Sequence, residues 1–252
     1  MPTGAGYTEV QAHWLLPNTH KPLIGLTLVV TTSSAEAFHL EDALRFLASE
    51  LTVLSFPDWE TLPYDLFSPH QDIVSQRLKT LYQLPTVTSG VLVLPVSTLM
   101  QRLCPLSYID QHALVIDTGD TLPMHDFRNK LVDAGYRNVS EVTEHGEFAV
   151  RGSLLDLFPM ASDKPFRIDY LDDEIEAIYC FDPADQIARD DEKIDRVELL
   201  PAREFPMDEA SITRFRQGFR QHFESSRESP VYRDISNGVC LLYTSPSPRD
   251  RG

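Results

Sequence analysis

Leu26-Thr27-Leu28-Val29-Val30 runs directly into Thr31-Thr32-Ser33-Ser34. The first five residues are apolar or β-branched, as in a parallel strand buried on both faces. The hydroxyl residues that follow form a natural N-cap, and Glu36 lies three positions beyond Ser33, the spacing of a capping box. Phe38, Leu40, Leu44 and Leu47 then recur near helical spacing, opposite Glu41, Asp42 and Arg45. A strand feeding a helix is the unit from which parallel sheets are built.

The same alternation continues outward. Leu51–Phe56 reads as a second strand ending at Pro57, and a proline-punctuated loop follows to Asp65. Beyond Pro69 comes a helix carrying Ile73, Leu78 and Leu81, then a third strand, Val91–Leu94. This predicts a parallel α/β layer with helices on both faces.

From about residue 110 the pattern changes. Ala113–Ile116 is a strand, and 124–134 is an amphipathic helix stopped by Gly135. Strands then follow in series, around 136–143, 147–151, 153–158, 166–171, 174–181 and 194–200, which predicts a small, largely antiparallel α+β module. A helix returns at 208–224, with Ile212, Phe215, Phe219 and Phe223 on one face and Arg214, Arg216 and Arg220 beside them. The two parts are expected to join near 105–111.

The 252 residues suffice for one large or two ordinary domains, and 42% hydrophobic with 24% charged residues excludes wholesale disorder. No apolar run approaches the roughly 18–20 residues of a membrane span, and no signal-peptide pattern opens the chain. Cys104, Cys180 and Cys240 are widely spaced, which fits a reducing cytoplasm rather than a zinc site or disulfide framework. The net charge of −16 opposes direct binding to nucleic-acid phosphates. Residues 169–198 hold twelve acids and three bases, more than half of that excess. Such a block is either a solvated face or a docking surface for a basic partner. In period-2 alternation its carboxylates should face solvent while Ile168, Tyr170, Ile175 and Ile178 enter the core.

Catalytic signatures are weak. Thr3-Gly4-Ala5-Gly6-Tyr7-Thr8 keeps the glycines and threonine of a phosphate-binding loop, but Tyr7 stands where the lysine belongs and supplies no positive charge. The loop is a degenerate P-loop or simply a glycine-containing terminus. Tyr170-Leu171-Asp172-Asp173-Glu174 resembles a strand ending in metal-binding acids, but such carboxylates serve a lysine-bound phosphate; an acidic hairpin is the simpler reading. There is no HxxH, HExxH or GxSxG. No enzyme activity or bound cofactor is expected within this chain.

Three stretches carry the reading further: Asp58-Trp59-Glu60-Thr61-Leu62-Pro63-Tyr64-Asp65 with Ser68-Pro69-His70-Gln71-Asp72-Ile73; Pro95-Val96-Ser97-Thr98-Leu99-Met100-Gln101-Arg102; and Glu147–Pro159 running on through Arg167–Ile175. Together they resemble the N-terminal, UvrB-like region of the bacterial transcription-repair coupling factors (Mfd), over roughly residues 26–238. The R-G-x-x-x-D-x-F-P pattern, Arg151 to Pro159, is shared with UvrB.

The resemblance implies a degenerate, P-loop-NTPase-type 1A-like layer over 1–108, a UvrB domain 2-like module that recruits UvrA over 109–200, and the start of a 1B-like helical segment over 201–240. Residues 241–252 are Ser/Pro-rich and depart from the family, as a non-native or disordered tail would. It further implies a fragment of a longer cytoplasmic protein. ATP, Mg²⁺, double-stranded DNA and RNA polymerase would then be bound by parts outside this chain, with intramolecular contacts to C-terminal domains. The UvrA contact is expected at Arg151 and Arg167, with Leu171 at its apolar edge, where relatives carry an aromatic. If these arginines face a partner, their removal should spare thermal stability; if instead they bridge internally, to neighbours such as Asp169 or Glu147, it should not. The competing reading is an active UvrB-type ATP-dependent DNA helicase subunit, which would need a lysine at the 3–8 loop.

Overall fold

A computed structural model describes residues 25–61, 69–223 and 229–238, without the side chains of 189–192. The degenerate loop at Gly4, Gly6, Tyr7 and Thr8 and the tail from 241 lie outside the described residues. The chain forms two compact units. Of the described residues, one holds those up to Trp59 with Gln76–Leu106, the other those of Glu60–Ser75 and from Ser107 onward.

The first unit contains three parallel strands, β1 (Leu26–Thr31), β2 (Val53–Ser55) and β3 (Gly90–Pro95), in the order β1-β3-β2. Helix α1 (Ser34–Leu47) buries Ala37, Leu40 and Leu44 against Val91 and Val93 of the central strand. Its N-terminus is capped as the sequence predicts on one side: Ser33 Oγ accepts from the Glu36 N–H at 3.3 Å. The return bond goes one residue further back, since Glu36 Oε2 accepts from the Thr32 N–H (3.1 Å) and hydroxyl (2.7 Å). Gly90 is required by close approach, because a Cβ there would lie 2.5 Å from the Thr52 carbonyl oxygen. On edge strand β1 one alternate set, Leu26, Leu28 and Val30, remains exposed.

Helix α2 (Gln71–Gln83) carries the fully buried Arg77. Its guanidinium lies over the rings of Phe56 (4.4 Å) and Trp59 (4.8 Å) and donates to the Pro57 carbonyl at 2.7 Å. That contact pins the start of the Trp-containing loop. After β3 the chain forms two short helices, α3 (Val96–Leu99) and α4 (Leu106–His112). The stretch read as a joint is thus largely helical.

In the second unit β4 (Leu114–Asp117) pairs antiparallel with β11 (Arg196–Leu199). Helix α5 (Met124–Asp133) buries Phe127 and Leu131. A six-stranded sheet follows in the order β10-β9-β8-β7-β6-β5. Its strands are β5 (Arg137–Asn138), β6 (Glu147–Arg151), β7 (Leu154–Phe158), β8 (Phe166–Leu171), β9 (Glu174–Phe181) and β10 (Ala188–Ile194). All neighbours pair antiparallel except β5 with β6. One face fully buries Phe148, Leu155, Leu157, Ile168 and Ile178, with Ile175 and Tyr170 beside them, and the other carries a smaller core of Ala149, Phe158 and Phe181 with Val142. The period-2 expectation for the acidic block therefore holds at Ile168, Tyr170, Ile175 and Ile178.

Two expectations change. The strand read over 136–143 shrinks to two residues, because the buried Glu147 carboxylate accepts from the Thr143 and Glu144 N–H groups (2.9 and 3.0 Å) and turns that segment into a loop. The strand read over 194–200 is β11, and ahead of it lies β10, a strand outside the expected set, on a different sheet. Helices α6 (Glu209–His222) and α7 (Pro230–Ser236) form a hairpin around Phe215, Phe219 and Tyr232, closed by Arg220 Nε donating to Tyr232 Oη at 2.6 Å. Asp208 caps α6 through the Ser211 N–H.

Candidate partner interface

Register decides which side chains share a face. Arg151 pairs with Leu154, Leu154 with Asp169, and Asp156 with Arg167. Directly paired residues project to the same side, and so do residues two apart on a strand. Arg151, Asp156, Arg167, Asp169 and Leu171 therefore lie on one side of the sheet, opposite Phe148, Leu155, Leu157 and Ile168 and beside the smaller cluster of Ala149, Phe158 and Phe181. Two tight turns close its near end. Gly152 takes φ +62° in the β6–β7 hairpin, and Asp172 takes φ +55° in the β8–β9 hairpin. The structure thus brings the three residues expected to meet a partner onto one face, and it places Asp172-Asp173-Glu174 at a hairpin turn.

Asp156 organises that face. It is 1% exposed, and both of its oxygens are occupied. Arg167 binds it as a fork, with Nε to Oδ1 at 2.6 Å and Nη2 to Oδ2 at 2.9 Å. Arg151 adds a third bond from Nη2 to Oδ2. The two arginines are not equivalent. Arg167 has a 16% exposed side chain, lies 5.3 Å from the Phe181 ring, and also donates to the Gln186 carbonyl at 3.2 Å. Arg151 is 47% exposed and uses one nitrogen. Leu171 is 62% exposed.

The electrostatics follow from this packing. The Asp156 hydrogen bond holds the Arg167 guanidinium above its ordinary range. Burial pushes the Asp169 carboxyl up, against the opposing pull of Arg167. Asp169 Oδ1 is buried and makes no hydrogen bond to the described residues. Internal pairing of both arginines was one of the two expectations, but its centre is Asp156 rather than Asp169 or Glu147. Glu147 binds Arg137 at 3.0 Å instead. Asp156 was visible in the sequence only as an acid between Leu155 and Leu157, a polar residue on the reverse side of a buried strand.

Away from this face, His145 faces Asp72 Oδ1 (2.7 Å) and the Ser162 carbonyl (2.8 Å) and stacks on Phe158. Among the described residues no group of three or more His, Cys, Asp or Glu side chains is placed to hold a metal ion. No helix among them is long and apolar enough to cross a membrane.

Residues 114–205 match the UvrB interaction domain family. That segment holds the whole sheet with all three candidate residues. Over 89% of its length the chain is 48% identical to the transcription-repair-coupling factor of Escherichia coli, and over 86% it is 50% identical to that of Haemophilus influenzae. The corresponding protein of Staphylococcus aureus is 28% identical over 86% of the chain. The chain spans about a fifth of the length of these relatives, 20%, 19% and 18% respectively. Across most of its length, then, the chain is similar to the N-terminal, UvrB-like region of the transcription-repair-coupling factors, and its antiparallel unit fits the UvrB interaction domain.

Proposed function

We propose that this chain is a UvrA-recruiting adaptor module, which in the whole protein links stalled RNA polymerase to nucleotide excision repair. The observation that carries the reading is the coincidence of the UvrB interaction domain match with one sheet face bearing Arg151, Arg167 and Leu171. An adaptor needs a rigid surface with an arginine anchor and an apolar edge, and this face supplies both. The layer over 1–108 serves as a 1A-like scaffold, 109–200 as the UvrA-binding module, and 201–240 as the start of a 1B-like segment. ATP hydrolysis, with its Mg²⁺, and the contacts to double-stranded DNA and RNA polymerase belong to other parts of the longer protein. The fragment itself holds no cofactor and turns over no substrate.

Titration of the full chain against purified UvrA tests this reading. Saturable binding that Arg151→Ala weakens by roughly thirtyfold supports it, since loss of an anchoring arginine commonly costs about 2 kcal/mol. Failure to bind UvrA at micromolar concentrations rejects it.

A further inference from the structure

Arg151 and Arg167 approach a single carboxylate from neighbouring strands, and that carboxylate is out of reach of any partner. We propose that Asp156 is the positioning residue of the UvrA-binding face, holding both guanidinium groups in the orientation in which Arg151 meets its acceptor. This rests on the UvrA reading above. With 1% exposure Asp156 touches no docking protein, so its effect on binding passes through the arginines.

The division of labour follows from how each fork is used. Arg167 commits Nε and Nη2 to Asp156, and Nη2 also reaches the Gln186 carbonyl, so it serves as an inner brace. Arg151 spends one nitrogen on Asp156, and its half-exposed side chain leaves the rest of the fork for an acceptor outside. Such an acceptor is a carboxylate or a carbonyl, because guanidinium offers donors alone. An unbraced arginine loses its rotamer freedom when the partner arrives, whereas a braced one has lost it in folding. Without Asp156 on β7, the two cations on the flanking strands β6 and β8 would repel and splay apart.

The test compares UvrA affinity and melting temperature for four forms of the full chain: wild type, Asp156→Asn, Arg151→Ala/Arg167→Ala, and the triple variant. In the wild-type background Asp156→Asn should weaken binding roughly three- to tenfold, the ordering cost of the released side chains. In the double-alanine background it should leave affinity unchanged, because nothing remains to be positioned. Stability should move in opposite directions, falling in the first background and rising in the second, where asparagine replaces a buried carboxylate stripped of its partners.

Equal fold losses of affinity in both backgrounds would overturn the proposal, since a merely structural residue acts regardless of the arginines. Unchanged affinity in Asp156→Asn alone would overturn it too. If Asp156→Asn does not fold, Asp156→Glu keeps the charge but displaces the carboxylate by one methylene, and it must show the same dependence on background. Wild-type affinity in the double-alanine variant is a different failure. It refutes the UvrA reading of this face, and with it the service that Asp156 would perform.

Discussion

Arg167 grips Asp156 through two hydrogen bonds, Nε to Oδ1 at 2.6 Å and Nη2 to Oδ2 at 2.9 Å, on adjacent strands of the antiparallel sheet. Pairing of this kind makes the carboxylate expensive to remove. Breaking a buried pair from one side leaves an uncompensated charge and costs about 3–5 kcal/mol. Asp156→Ala should therefore lower the unfolding free energy by about 3 kcal/mol, read by urea denaturation. Arg151→Ala, at a half-exposed side chain, should cost under ~1 kcal/mol. Arg167→Ala should fall between them. An equal loss for the two arginines would mean that exposure does not separate their roles.

Tyr136 offers a second test of the same unit. It is buried, its hydroxyl donates to the Leu200 carbonyl at 2.7 Å and accepts from the Met160 N–H at 3.2 Å. Burial also drives the phenol well above its ordinary range, so it stays a donor at any working pH. Tyr136→Phe removes one partner from each backbone group, but Met160 and Leu200 also pair with each other as an antiparallel bridge, so neither is fully orphaned. A loss of about 1 kcal/mol, that of a net hydrogen bond, is expected by the same denaturation; a loss under a few tenths would mean that the bridge alone satisfies both groups.

The sequence is most legible where a rule is local. Gly135 after α5, Ser33 before α1 and the period-2 spacing of Ile168 and Tyr170 each act within a few residues, and each appears in the structure. What failed was set by particular pairings that no period announces. β10 carries Ala-Arg-Asp-Asp-Glu-Lys-Ile, whose five charged residues show no apolar alternation, yet it pairs along β9 as a charged edge strand. The 136–143 segment was lost to the carboxylate of Glu147. For the candidate site, the arginines stood out by motif. Their shared face and common partner did not, because both depend on strand register: Asp156 meets Arg167 across eleven positions of sequence, through pairing of β7 with β8.

Glu41 gives a pH test of the first unit. It is buried on α1, and its carboxyl is pushed above its ordinary range by desolvation, opposed by hydrogen bonding to Ser55 and by Arg45. Folding therefore favours the protonated form. The stabilisation this supplies is complete below the ordinary glutamate range and is lost as pH rises through the raised value. At pH 7 the charged side chain is a cost. Glu41→Gln keeps the size and removes the charge, so it should melt at a higher temperature than wild type at pH 7, with the difference shrinking toward pH 4. A less stable variant at pH 7 would show that the 3.4 Å pair with Arg45 outweighs burial.

Leu171 separates binding from folding most cleanly. It stands 62% exposed at the end of β8, paired with Glu174 across the hairpin whose turn holds Asp172 and Asp173. A side chain so exposed contributes little to the fold, and changes there should stay within ±0.5 kcal/mol in stability. Affinity for UvrA should respond in graded fashion if this is the apolar edge of the contact. Phenylalanine adds on the order of 40 Å² of apolar surface, worth about 1 kcal/mol at roughly 25 cal/mol per Å², or about fivefold in affinity. Alanine subtracts area. Aspartate subtracts more and adds charge beside Asp172, Asp173 and Glu174, which disfavours an acidic acceptor nearby. The expected order of affinity is Leu171→Phe, wild type, Leu171→Ala, Leu171→Asp, at nearly constant melting temperature. A flat series in titration calorimetry would place the partner away from this end of the sheet, even if the arginine variants lose binding.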